Sequence, residues 1–283
     1  MNRRPSLAWP YLGGLTLLVA VPALAALVLA FTEYSGIEAP RFVGLDNFER
    51  MLTDELFFRA LGNSAIYVLL SVPLRIALAT TFALLLFRRT AGVPEARAIA
   101  YLPSVIPDAA YALLWLWILN PIYGPLTAAF EATGVASPDW LTDPWTARGS
   151  IAVMGAFQIG EAFVVALAAR RAVPDYLYEA AAVDGASPAF TLRKVTLPLM
   201  APILALLALR DVVFALQANF APAFLVTDGG PRFATTFLPL YVYRQGFGYF
   251  RLGYAATLAL SMFVVTAVVV FVMYRLSRRW RLI

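Results

Sequence analysis

Six apolar stretches, at about 9–31, 62–87, 99–119, 150–169, 199–225 and 253–274, each reach the ~20 residues that a helix needs to cross a bilayer. No other feature narrows the fold as far. Backbone N–H and C=O groups in hydrocarbon have no water to bond, so each stretch must satisfy them internally as an α-helix. The expected fold is therefore all-α, a polytopic membrane protein with six transmembrane helices. It is read as one domain over 1–283. Composition agrees, with 61% hydrophobic and 14% charged residues where soluble domains average roughly 45–50% apolar.

The arginines set an orientation. If six spans alternate, Arg3 and Arg4, then Arg88, Arg89 and Arg97, then Arg170, Arg171, Arg193 and Lys194, then Arg275, Arg278, Arg279 and Arg281 fall on one side. That side is expected to be cytoplasmic, with both termini inside. The opposite loops hold most of the acids, among them Glu33, Glu38, Asp46, Glu49, Asp54, Glu55, Asp139 and Asp143. This bias accounts for the net charge of +5 without nucleic acid as a partner, because the arginines flank spans and do not interleave with aromatics in a basic patch. Arg3-Arg4, an apolar run and Ala23-Leu24-Ala25 imitate a signal peptide, but the run from Leu7 to Phe31 exceeds the roughly 7–15 apolar residues of such a segment.

Absences narrow the chemistry. The chain has no Cys, hence no disulfide framework, and no His, hence no Ser-His-Asp triad and no His-ligated zinc. It has no Gly-x-x-x-x-Gly-Lys-Ser/Thr phosphate loop, so ATP hydrolysis is expected elsewhere. Asp108 and Asp211 could form an intramembrane carboxylate pair of the kind a protease uses, although neither has a local active-site pattern. An ion-driven carrier or a channel is a further class, but the inverted repeats and paired broken helices typical of such carriers are not evident.

The segment 172–198 is the longest connection on the basic side and resembles a docking surface. Pro174-Asp175 can start a helix that runs through Glu179, Ala180, Ala181 and Val183. Asp184-Gly185 can end it at a left-handed residue, and Ser187-Pro188 can cap and open the next. Leu177, Ala180 and Ala181 share one face, a narrow apolar ridge suited to a groove.

The run Glu179-Ala-Ala, Asp184-Gly185-Ala186 and Leu197-Pro198 closely resembles the EAA loop of membrane subunits of ATP-driven importers. Phe42-Val-Gly-Leu-Asp-Asn-Phe48, Leu102-Pro-Ser-Val-Ile-Pro107, Trp115, Trp117, Thr227-Asp-Gly-Gly-Pro231 and Leu240-Tyr-Val-Tyr243 are similar to the maltose and glycerol-phosphate class of sugar-importer permeases. The Thr-Asp-Gly-Gly-Pro segment is closer to the maltose F-type than to the G-type subunit. The extra N-terminal spans and large external insert of the longer maltose subunit have no counterpart here. The resemblance implies a type I ABC importer permease fold in a prokaryotic plasma membrane. It also implies one half of a heterodimer with a G-type subunit, two ATPase subunits that bind ATP and Mg, and an extracytoplasmic solute-binding protein delivering a sugar, polyol or similar substrate. The chain itself would hold no cofactor or metal and catalyse nothing. Glu179, Ala180, Ala181, Asp184 and Gly185 would couple to the ATPase, with Leu197 and Pro198 fixing the return of the loop.

Polar groups inside apolar spans mark the translocation path, because an ionisable side chain facing lipid is expensive. They are Asp108 and nearby Tyr111, Gln158 and Glu161, and Asp211, Gln217 and Asn219. Trp115 and Phe157 supply aromatic faces suited to sugar rings. Pairing with Arg75 or Arg210 is the structural alternative for the acids. Adjacent residues point about 100° apart on a helix, so Asp211 is expected to find a partner other than its neighbour Arg210.

Overall fold

The computed structural model describes residues 8–88, 90–217 and 219–279. Arg3, Arg4, Arg89 and Arg281 of the basic clusters lie outside these. Among the described residues the regular structure is helical apart from a two-residue antiparallel pairing of Thr32–Glu33 with Arg41–Phe42, which the hydropathy pattern does not foresee. Four helical stretches are long and apolar enough to cross a membrane: Ala8–Leu29, Glu55–Leu85, Pro188–Thr227 and Leu252–Leu276. Two bent pairs, Val93–Ser104 with Asp108–Ile118 at 98° and Pro144–Phe157 with Gly160–Arg171 at 51°, bring the number to six if each pair is one span.

The stretches 99–119 and 150–169, expected as continuous helices, are thus both broken. Pro107 has no N–H and biases Ile106 away from the helical region, so the first break falls where the sequence dictates. The second has no proline. Arg75 donates from Nε to the Gly155 carbonyl at 2.9 Å and also bonds it through Nη2. That carbonyl would otherwise accept from Ile159, whose N–H turns instead to Phe157 O at 2.9 Å. The Gly160 N–H then donates to Ser104 Oγ at 2.8 Å, so the two breaks lock together. A Cβ at Gly160 would sit 2.5 Å from that oxygen and 2.9 Å from the Tyr101 carbonyl, which leaves room only for glycine.

Chain contacts divide into two units. The larger runs over Arg59–Phe237 and takes in the residues from Thr266 onward. Its core joins Ala79, Ala83, Ala100, Ala162 and Ala166 with Ile159, Phe163, Leu167 and Leu207. Lipid tails are as apolar as leucine, so helices in a bilayer gain by close approach, and small residues permit it. The smaller unit comprises the residues up to Phe58 with Leu238–Val265. Here Asn47 donates to the carbonyls of Ala30 at 3.0 Å and Thr32 at 2.9 Å, and Thr257 donates to Ala30 O at 2.9 Å. Phe48 packs on Phe31 with ring centroids 5.1 Å apart.

Candidate functional site

The 172–198 segment forms two short helices, Tyr176–Val183 and Pro188–Thr191. Gly185 sits at φ +70, and its N–H bonds Ala182 O at 3.1 Å while Ala186 N–H bonds Ala181 O at 2.9 Å. This is the paired closure of a Schellman motif, which satisfies the last carbonyls of the first helix. Ser187 Oγ accepts from Phe190 N–H at 3.3 Å and Pro188 takes the first helical position, so the second helix opens after only four intervening residues. A wider turn follows, with Leu197 N–H reaching back five residues to Leu192 O. That widening accommodates Pro198, whose ring would clash with a carbonyl four residues earlier.

Glu179, Ala180, Asp184 and Gly185 are exposed and Ala181 is half-buried, and Leu177, Ala180, Ala181, Asp184 and Phe190 line a shallow recess. The helix is nevertheless rigidly mounted. Tyr178 shares a hydrogen bond with Thr196 at 3.1 Å, and the Arg170 guanidinium lies between the Phe87 ring at 4.0 Å and the Tyr178 ring at 4.4 Å. Leu177 and Tyr178 also pack on Ala169, Val173 and Met200. The helix is thereby tied both to the end of Gly160–Arg171 and to the start of Leu197–Gln217.

Within the larger unit a second polar feature lies among the spans. Asp108, Tyr111, Gln158, Glu161 and Asp211 line one cavity, joined by Arg75, Arg210 and Tyr67. Asp211, fully buried, stands 3.8 Å from Arg75 and accepts from Arg210 at 3.3 Å, while Arg210 also pairs with Glu161. The expectation that Asp211 would not pair with Arg210 is therefore corrected. The arginine side chain is long enough to fold back along the helix despite the 100° offset. A carboxylate held between two guanidiniums is also unlike a protease pair that shares a proton. Tyr111 donates to Met154 O at 2.8 Å, and Tyr111, Trp115 and Phe157 form an edge-on aromatic run with centroids 6.2 and 5.8 Å apart. Asn219 does not line this cavity, and among the described residues neither oxygen nor nitrogen of its buried amide has a hydrogen-bond partner. The cavity volume is about 110 Å³. That holds a few waters at roughly 30 Å³ each, and falls short of the roughly 300–1,000 Å³ of a complete ligand site.

Residues 96–282 match the family described as binding-protein-dependent transport system inner membrane component. The chain belongs to that family. It is 32% identical over 276 residues to the probable ABC transporter permease protein YesP of Bacillus subtilis, covering 96% of this chain and 89% of the relative. It is 32% identical over 232 residues to the trehalose/maltose transport system permease protein MalF of Thermococcus litoralis, covering 81% and 77%. In three dimensions it is similar to a chain of a bacterial ABC transporter involved in the import of the acidic polysaccharide alginate. The TM-score is 0.82 at 25% identity, over 97% of this chain and 94% of that one.

Several residues of this family member carry structure that its motifs did not reveal. Tyr178, Arg170 and Thr196 mount the exposed helix, yet no motif singles out Tyr178 or Thr196, and Arg170 counts in the sequence only among the arginines that flank spans. The Thr227–Pro231 run, noted only for resemblance, closes a knot. Thr236 Oγ1 donates to Gly229 O at 3.0 Å, Asn63 donates to Phe233 O at 2.7 Å and to Thr236 O at 3.1 Å, and Arg148 bonds Asn63 Oδ1 at 3.0 Å. Asp228, Arg232 and Phe233 all hold positive φ there, a conformation that non-glycine residues adopt only when their surroundings enforce it.

Proposed function

We propose that this chain is one of two permease subunits of an ATP-driven sugar importer, coupled to a separate ATPase through the helix Tyr176–Val183. Family membership and the names of its relatives support an ABC permease that moves carbohydrate. The observation that carries the coupling reading is the combination of exposure and rigid mounting. Glu179, Ala180 and Asp184 face outward from a helix fastened to two spans by Tyr178 and Arg170, so a force applied to the helix reaches both spans. A nucleotide shifts a conformational equilibrium only through differential binding to the two states, and closure of an ATPase dimer on this helix supplies that difference.

In this reading the six crossings leave both termini in the cytoplasm, and an extracytoplasmic binding protein delivers substrate on the opposite side. The cavity around Asp211 supplies one wall of the path. Its small volume fits a site that the second permease subunit completes. ATP and Mg bind the ATPase subunits. The test is uptake by the assembled importer carrying Gly185→Val or Glu179→Lys. A β-branched residue at φ +70 is strained by roughly 1–3 kcal/mol, enough to unseat the helix end. Uptake is expected to fall to background while the protein still reaches the membrane, and normal transport by an inserted Gly185→Val importer would overturn the coupling role.

A further inference from the structure

On the basic side of the larger unit three arginines from three different span ends converge on one open recess. Arg88 follows the helix Glu55–Leu85, Arg97 lies in Val93–Tyr101, and Arg171 ends Gly160–Arg171. Among the described residues no acidic side chain lines the recess, whose other walls are Thr90, Val93 and neighbouring apolar residues.

Arg97 is fixed. It donates to Leu86 O from Nε at 2.9 Å and from Nη2 at 2.7 Å, and to Phe87 O at 3.1 Å, which neutralises the negative end of the Glu55–Leu85 helix. Arg88 and Arg171 are exposed, and among the described residues their guanidinium groups have neither an ion pair nor a hydrogen bond. Two uncommitted guanidiniums beside a third that is held in place make a site for a phosphate, which Arg binds through paired N–H groups.

The surroundings decide which phosphate. Leu85, one turn before Arg88, is 69% exposed, and Ile99, on the helix that carries Arg97, is also 69% exposed. Such side chains are at ease only against acyl chains. A charged recess at span ends, on helices that carry exposed apolar side chains, has the layout of a lipid site, with the headgroup in the recess and the tails along the helices.

We infer that Arg88, Arg97 and Arg171 bind the phosphodiester headgroup of an anionic phospholipid. The bound lipid bridges three span ends close to the mount of the Tyr176–Val183 helix, so it fastens the segment on which that helix stands.

The test is titration of the purified importer complex in neutral detergent with labelled phosphatidylglycerol, with phosphatidylcholine and sodium phosphate in parallel. Saturable phosphatidylglycerol binding is expected, at least about tenfold tighter than phosphatidylcholine and not displaced by millimolar phosphate. The pair Arg88→Gln with Arg171→Gln should weaken it about 25-fold, near fivefold for each guanidinium removed. The pair Arg88→Lys with Arg171→Lys keeps the charge and should lose no more than about fivefold, which separates loss of the site from misfolding. Arg193→Gln with Lys194→Gln, exposed basic residues elsewhere on that side, should stay within about twofold of wild type. Equal binding of the two lipids, an unaffected Gln pair, or an equal loss in the 193/194 control would overturn the site. Displacement by millimolar phosphate would overturn the lipid assignment in favour of a free-anion site.

Discussion

Tyr178 joins two properties that one side chain rarely combines, stacking on Arg170 and sharing a hydrogen bond with Thr196. Tyr178→Phe removes only the hydroxyl bond, a net effect of about 1 kcal/mol, whereas Tyr178→Ala also removes the ring. In uptake assays the Phe variant is expected to keep most of its transport and the Ala variant to lose most of it. Equal transport by both would show that the mount is unimportant. Asp211 gives a second prediction. Removing Arg75 alone leaves Asp211 with Arg210 as its remaining counter-ion and frees the Gly155 carbonyl, so Arg75→Met should destabilise by about 3 kcal/mol, while Arg75→Met with Asp211→Leu should recover part of that loss. Thermal unfolding of the two variants measures the difference. Asp54, outside the membrane, gives a third. Partial burial pushes its carboxyl up, but hydrogen bonds from the Tyr241 and Tyr254 hydroxyls and from Leu56 and Phe57 N–H together hold it below the ordinary value of 3.8. The same contact with Asp54, added to burial, pushes the Tyr241 hydroxyl up to about 12. A lowered carboxyl contributes stability that is complete above its unfolded value and disappears as pH falls through the folded one. Wild type should therefore lose unfolding temperature more steeply than Asp54→Asn below about pH 4, with parallel behaviour from pH 5 to 8. Parallel curves throughout would remove Asp54 from the account.

At the scale of elements, what was legible in the sequence is what local chemistry dictates. Gly185 and Ser187-Pro188 impose their turn whatever surrounds them; Pro107 breaks its span by equally local chemistry, although the stretch 99–119 was expected to run unbroken. The Phe157–Gly160 break was not legible, because its cause is Arg75, 80 residues earlier, taking a carbonyl. The mounting of the exposed helix Tyr176–Val183 by Tyr178 and the cluster of Asp54 with Tyr241 and Tyr254 are long-range in the same sense. The polar residues inside the spans were picked out as a group from their cost in hydrocarbon, but Asn219 does not line the cavity that Asp108, Tyr111, Gln158, Glu161 and Asp211 share, and no pattern in the sequence shows that. Gly155→Val tests the bend between Pro144–Phe157 and Gly160–Arg171. An added Cβ collides with the Tyr67 hydroxyl, so this variant should fail to assemble, whereas Gly149→Ala, with open space around it, should assemble normally. Normal assembly of the Gly155 variant would mean that the bend tolerates repacking.

For the whole molecule the central claim is that the exposed helix Tyr176–Val183 is where an ATPase pushes. The chain has no cysteine, so a single introduced thiol reports one position without background. Ala180→Cys in the assembled importer, treated with a short thiol crosslinker, should join to the ATPase subunit. Leu52→Cys, 63% exposed but on the acid-rich side, should not. The account predicts an Ala180→Cys adduct whose yield changes when ATP is added. Transport-competent Ala180→Cys importer that forms no adduct with the ATPase, in either nucleotide state, would contradict it.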